Sequence, residues 1–168
     1  MAKELILAVI KPDGMSRELI GPIFTKFAAA KAELLAIRLV KVSWELAEAH
    51  YQHIYGQPFY DITIRHLIGD YHSKKDVLAM VYRGEDAIRK FRAITGATNP
   101  KDASSKSIRG LYGRVTKAGL FENVIHVSSD PQEAKREIQL WFEPADMSEE
   151  IFPTKIVKIK ASTKKVWV

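Results

Sequence analysis

No cysteine occurs among the 168 residues, and that absence alone excludes a disulfide framework, thiolate metal sites and a cysteine nucleophile. No apolar run approaches the ~18 residues that a membrane-spanning helix needs. The N-terminus enters an apolar, strand-like segment at Leu5 without a basic leader and cleavage site. A cytoplasmic protein with no membrane partner is therefore expected. Neither GxxxxGK[ST] nor GxGxxG is present, which removes two glycine-rich phosphate loops, and metal-ligand spacings, internal repeats and low-complexity tracts are absent as well.

What is present is the composition of one globular domain, 46% hydrophobic and 27% charged. A chain of this length buries roughly 70% of the surface its unfolded form exposes, so the core needs no cross-link. With 26 basic against 20 acidic side chains the net charge is +6, which favours anionic partners. The basic residues are spread along the chain, with only short pairs such as Lys74-Lys75 and Lys164-Lys165. Nucleic acid is thus a partner that the charge allows and the pattern does not favour.

Residues 5–10 form an apolar run that reads as a central strand buried on both faces, stopped by Lys11-Pro12-Asp13-Gly14 in a loop. Ile20, Ile23, Phe24 and Phe27 recur at helical spacing within 19–30, and residues 34–42 read as a second strand. Ser43, Glu45 and Glu48 open a helix leading to His53, and a second short helix over 60–68 completes a helical hairpin. Residues 77–82 are a third strand, 86–95 an amphipathic helix with Ile88, Phe91 and Ile94 on one face, and 123–127 a last core strand. The order β-α-β-(αα)-β-α-β predicts an α+β, ferredoxin-like sandwich, a four-stranded antiparallel sheet with helices on one face and an added hairpin.

The segment 96–122 is too long for an idle connection, since loops beyond ~12 to 15 residues are usually functional or disordered. It holds Thr98, Asn99, Pro100, Arg109, Gly110 and Gly113 and reads as functional. Asp130, Pro131 and Glu133 give a cap, a first-position proline and a capping-box acid for a helix ending near Phe142. Residues 1–143 are expected to form the domain and 144–168 a C-terminal extension. The alternation of lysine with isoleucine or valine over 155–160 suggests an edge strand or a segment lying along a partner subunit.

His126, between a strand end and a helix start, reads in two ways. It is either a histidine that merely finds a hydrogen-bond partner or a nucleophile whose second nitrogen is held by a carboxylate, for which Glu137 is a candidate. Lys11, Arg92 and Arg109 are either solvated charges or phosphate clamps. The turns at 96–100 and 107–110 offer hydroxyls, backbone donors and a guanidinium where a polyphosphate would lie. His50, His53, His66 and His72 are expected on the surface.

Six strings occur in order: LAVIKPDG at 7–14, HY at 50–51, PF at 58–59, GATNP at 96–100, IRG at 108–110 and NVIHVSSD at 123–130. Jointly, over about residues 3–142, they resemble the nucleoside diphosphate kinase family. The resemblance implies a ferredoxin-like subunit that moves the γ-phosphoryl group of a nucleoside triphosphate, typically ATP, to a nucleoside diphosphate by a ping-pong mechanism through a phosphohistidine. His126 matches the nucleophile, Glu137 the acid that orients it, and Lys11 the lysine that completes the catalytic set. Lys11, Tyr51, Arg92, Thr98, Arg109 and Asn123 match phosphate and sugar contacts, and Phe59 the aromatic that stacks on the base. Mg²⁺ is implied, held mainly through substrate phosphates rather than by protein ligands, and base selectivity is expected to be broad. A homo-oligomer is also implied, with a hexamer favoured over a tetramer. The chain departs from the family pattern at Val127, where glycine is usual, in the order Ser128-Ser129-Asp130, and in a longer stretch over 111–122.

Overall fold

The computed structural model describes residues 3–157. The chain runs β1 (Lys3–Ile10), α1 (Pro12–Ser16), α2 (Ile20–Phe27), β2 (Glu33–Lys41), α3 (Trp44–His50), α4 (Tyr60–Leu67) and β3 (Asp76–Glu85). It continues through α5 (Ala87–Thr95), α6 (Ile108–Tyr112), β4 (Arg114–Val115), β5 (Phe121–Glu122), β6 (Ile125–Val127) and α7 (Pro131–Trp141).

Residues 6–10 of β1 have no solvent exposure, and because strand side chains alternate, both faces of the sheet must be covered. Ile6, Ala8 and Ile10 pack with Ile23 and Phe27 of α2 and Ile88 and Phe91 of α5. Leu7 and Val9 pack with Ala47 of α3, Ile64 and Leu67 of α4, and Ile138 and Trp141 of α7. The sheet order is β2-β3-β1-β6, antiparallel at every pairing, as the ferredoxin-like reading requires. The one-face expectation holds for the crossover helices α2 and α5, whereas the hairpin and α7 close the opposite face. An unbroken apolar β1 demands that second layer.

Local differences from the sequence reading have identifiable causes. Residues 12–16 form a helical turn rather than a loop, because Pro12 opens it at a position where no N–H is needed. Helix α2 ends at Phe27, followed by a tight turn over Ala28–Ala30 that stops at left-handed Lys31. The last strand begins only at Ile125, since Val124 takes φ 58° and leaves the ladder. The segment 96–122 folds instead of looping: Ser107 caps α6, accepting from Gly110 N at 3.2 Å, and β4 pairs with β5 in a hairpin closed by the Arg114–Glu122 ion pair.

Beyond α7, the extension turns back over the domain. Ser148 N donates to Leu35 O at 3.2 Å, Asp146 pairs with Arg38 at 2.8 Å, and Met147, Ile151 and Phe152 pack on the α7 side of the core. Residues 155–157 are not in a strand, and the rest of the 155–160 alternation lies outside the described residues. No helix among the described residues is long and apolar enough to cross a membrane.

Gly14 sits just after β1, against Val124, which directly precedes the chain's last strand. A Cβ there would lie 2.8 Å from Val124 O and 2.9 Å from Ile10 Cγ2, with backbone on one side and a buried side chain on the other. Gly14→Ala is expected to lower stability by about 1–3 kcal/mol, the usual cost of overpacking, as read by chemical denaturation. An unchanged unfolding midpoint would show that this contact relaxes freely.

Candidate active site

The site is built around a strained backbone residue. Val124 is β-branched and left-handed, an uncommon combination, and two hydrogen bonds hold it there. Its N–H donates to Asp13 Oδ2 at 2.9 Å, and its carbonyl accepts from Lys11 N at 2.9 Å. These bonds fasten the turn after β1 to the residues before β6, so that Lys11, Asn123 and His126 all line one cavity of about 470 Å³.

His126 Nε2 lies 2.8 Å from Glu137 Oε1. The other carboxylate oxygen accepts from Ser128 Oγ at 2.6 Å, and Ser128 Oγ in turn accepts from Leu7 N at 3.1 Å. Glu137 and Ser128 are buried. Burial works to raise the Glu137 pKa, but the His126 charge and hydrogen bond, then Ser128 and Arg136, prevail and hold it below the ordinary value. A buried carboxylate facing Nε2 favours the tautomer with its proton there, which leaves the lone pair on Nδ1. Nδ1 has no protein hydrogen-bond partner among the described residues.

His50 and His66 overturn the surface expectation for the histidines: both are buried, while His53 is exposed and His72 half-buried. The His50 ring packs edge-on against His126, centroids 4.4 Å apart, and its Nδ1 accepts from Trp141 Nε1 at 3.2 Å. Burial first, and then the neighbouring His126 and Arg136, hold its pKa well below the ordinary histidine value. His50 is thus a neutral wall behind the His126 ring. The spacing rule missed it because it sits at the end of α3, where the helix meets α7 rather than solvent.

Three cations, Lys11, Arg92 and Arg109, also line the cavity. Lys11 is only 5% exposed, and burial chiefly, with Arg109 adding to it against the pull of Asp13, lowers its pKa to about 8. Arg109 is fixed by Nη1 donating to Gly96 O at 3.0 Å and Nη2 to Ile125 O at 2.9 Å. Burial lowers its pKa to about 10, which still leaves it charged at neutral pH. Arg92 and Thr98 are exposed members of the lining, and Asn123 Nδ2 donates to Thr98 O at 2.8 Å, tying the 96–100 turn to the histidine strand. Gly96 makes that turn with φ 88°, and a Cβ on it would overlap Ser107 Oγ. Tyr51 lines the cavity too, and burial raises its pKa, so its hydroxyl keeps its proton.

Lys11, Tyr51, Arg92, Thr98, Arg109, Asn123, His126 and Glu137 thus meet in one place. Phe59 does not line the cavity; it is 51% exposed at the start of α4. Sequence reasoning missed Ser128 and Asp13. Ser128 follows His126 by two residues and so shares its side of the strand, which was a usable signal. Asp13 carried no such signal, because its partner Val124 is 111 residues away.

Ser128→Ala would leave both Glu137 Oε2 and Leu7 N–H short of a partner in a buried place. A loss of roughly 1–3 kcal/mol in unfolding free energy is expected. A variant as stable as the parent by denaturant titration would show that water or another group replaces the hydroxyl.

A family model described as nucleoside diphosphate kinase matches residues 4–147. The nucleoside diphosphate kinase of Pyrococcus furiosus is 38% identical over 146 residues, 87% of this chain and 87% of that one. That of Brevibacillus brevis is 40% identical over 139 residues, 83% of this chain and 88% of that one. Among solved structures, the halophilic nucleoside diphosphate kinase of Halobacterium salinarum in complex with CDP superposes with a TM-score of 0.78 at 32% identity, covering 89% of this chain and 93% of that one. The transition-state mimic of the Borrelia burgdorferi enzyme with vanadate and ADP gives 0.78 at 28% identity, with 88% and 92% covered. The matched span takes in all of the sheet except Lys3 and every residue of the cavity wall, and on that ground the chain belongs to the nucleoside diphosphate kinase family of enzymes.

Proposed function

We propose that this protein moves the γ-phosphoryl group of a nucleoside triphosphate, typically ATP, to a nucleoside diphosphate by a ping-pong route through a phosphohistidine at His126. The observation that carries this reading is the 2.8 Å contact of His126 Nε2 with buried Glu137, in a cavity that also presents Lys11, Arg92 and Arg109. In the first half-reaction Nδ1 attacks the γ-phosphorus, the bond to the β-phosphate oxygen breaks and the diphosphate leaves. The Nε2 proton stays against Glu137, which stabilises the charge the ring acquires. The second half-reaction reverses these steps with a new diphosphate as acceptor.

Phosphoryl transfer depends mostly on positioning and on stabilising charge at the equatorial oxygens. Lys11, Arg92 and Arg109 supply cations, and Tyr51, Thr98 and Asn123 supply neutral donors and acceptors to phosphate and sugar. Mg²⁺, carried in on the phosphates of the nucleotide, would neutralise part of their charge. The cavity gives it no cage: Glu137 is engaged by His126 and Ser128, and Glu133 pairs with Arg136 at 2.8 Å.

Broad base use follows from Phe59, an exposed aromatic that offers a stacking face and no edge recognition. The two superposed relatives hold ADP in one case and CDP in the other, a purine and a pyrimidine. A homo-oligomer, hexamer before tetramer, is part of the same reading. Edge strand β2 exposes Leu34, Ile37 and Leu39, a surface suited to subunit contact, and the extension from residue 144 begins beside it. The nucleotide pools that such an enzyme would draw on are cytoplasmic, and we place the protein there.

Incubation with Mg²⁺ and γ-labelled ATP, without acceptor, tests the mechanism. An acid-labile, alkali-stable label should appear on His126, discharge on adding a nucleoside diphosphate, and be absent from a folded His126→Ala variant. No label on a folded protein that binds nucleotide would sink the catalytic reading, and label retained by the variant would name another nucleophile.

Lys11 generates a pH dependence of definite sign. Its folded pKa of about 8 lies below the ordinary 10.5, so the free enzyme loses this cation as pH rises through about 8. kcat/KM is expected to fall there, and Lys11→Arg, charged throughout, should move the fall to higher pH. Stability runs the other way: burying the charged lysine costs most below about 8, and the cost is relieved between there and the unfolded value. A flat kcat/KM profile from pH 7 to 9.5 would remove Lys11 from phosphate binding.

A further inference from the structure

Behind the cavity wall, a second group of polar side chains takes no part in the proposed chemistry. Asp13 Oδ1, His66 Nε2 and His72 Nε2 are each buried without a full hydrogen bond among the described residues, and one ligand atom from each of these three residues lies within 4.8 Å of the other two. Asp13 and His66 are both 1% exposed. Asp13 Oδ1 and His66 Nε2 meet only each other, at 3.3 Å, and His72 Nε2 has no partner among the described residues. An unpaired buried atom costs on the order of 1–3 kcal/mol, so the convergence calls for a partner that satisfies all three.

We propose that Asp13, His66 and His72 form a binding site for one transition-metal dication of the zinc type, distinct from the nucleotide cavity. In a tetrahedral zinc site with bonds of ~2.0–2.1 Å, neighbouring ligand atoms stand roughly 3.3–3.5 Å apart. Asp13 Oδ1 and His66 Nε2 are 3.3 Å apart, already at that spacing. His72, half-buried beside them with ring centroids 5.1 Å from His66, needs only a small shift to close the third edge. An Asp13–His66 hydrogen bond alone would leave the His72 nitrogen unexplained. Two imidazoles and one carboxylate select against Mg²⁺ and Ca²⁺, which prefer all-oxygen shells, and favour zinc and its neighbours with a fourth position left for water.

The groups around these three side chains also suit a metal. Asp13 Oδ2 is fixed by Val124 N–H at 2.9 Å, which orients the carboxylate so that Oδ1 faces the histidines. His66 and His72 are six residues apart, a spacing no helical ligand rule recognises. Gly69 brings them together: at φ 82° it reverses the chain after α4, and its Cβ would sit 2.7 Å from Lys75 Cα. His72 N then donates to Gly69 O at 3.2 Å. A bound ion would fasten the end of α4 and the following turn to the turn after β1, without contacting His126.

The test uses the full, nucleotide-free chain, stripped with chelator and titrated with Zn²⁺ or Co²⁺ alone. Calorimetry should give one equivalent, Co²⁺ should show the intense visible bands of a tetrahedral centre, and Zn²⁺ should raise the thermal midpoint. His66→Gln and His72→Ala should each weaken binding at least about tenfold, no less than the loss of an outer-shell partner. His126→Ala should retain it, which separates this site from the other buried trio of His50, His126 and Glu137. Three outcomes would overturn the proposal: no stoichiometric binding by the parent, equal binding by a folded His72→Ala, or binding lost in His126→Ala and kept in His72→Ala. The half-buried His72 keeps the test open should the His66 variant fail to fold, and none of the readouts depends on kinase activity.

Discussion

The carboxylate of Asp13 and the backbone of Lys11 hold Val124 in a left-handed conformation that its branched side chain disfavours, and the cavity around His126 is assembled on that clasp. This clasp joins the end of the first strand to the start of the last, two segments more than 100 residues apart that would otherwise meet only through the β1–β6 pairing. Strain of this kind survives where surroundings over-determine it, and here buried hydrogen bonds on both sides of one residue do so. Gly14, packed against the Val124 carbonyl, admits the approach that makes the clasp possible.

Electrostatic asymmetry follows from that frame. One end of the His126 ring meets a buried carboxylate that is itself held by a serine, which in turn accepts from the backbone of β1. The other side faces a cavity whose lysine and arginines are charged, two of them buried, while its carboxylates are engaged elsewhere, Glu137 by His126 and Ser128 and Glu133 by Arg136. Buried cations of this sort are destabilising on their own, and a polyphosphate would supply the missing charge. The depressed pKa of Lys11 expresses the same imbalance.

The helices take their places from this sheet. Helices α2 and α5 seal one face of β1, and α3, α4 and α7 seal the other. Because Glu137 and Trp141 lie on α7 and His50 ends α3, the packing that closes the second face also brings a buried carboxylate and the His50 ring against His126.

The strands, the principal helices and the α7 cap were legible in the sequence because each is announced by local pattern: the apolar run of residues 5–10, the spacing of Ile20, Ile23 and Phe27, and Asp130-Pro131. The ordered motifs likewise pointed to His126, Lys11, Arg109 and Asn123 by number. Tertiary structure alone decided that α3, α4 and α7 cover the second face, that 96–122 folds into a helix and hairpin, and that His50 and His66 are buried. It alone brought Asp13 to Val124, and His72 to His66 and Asp13. The division has one physical cause: helical and strand periodicity are properties of neighbours in the chain, whereas burial and the partners of polar atoms are set by residues distant in sequence, which only packing brings together.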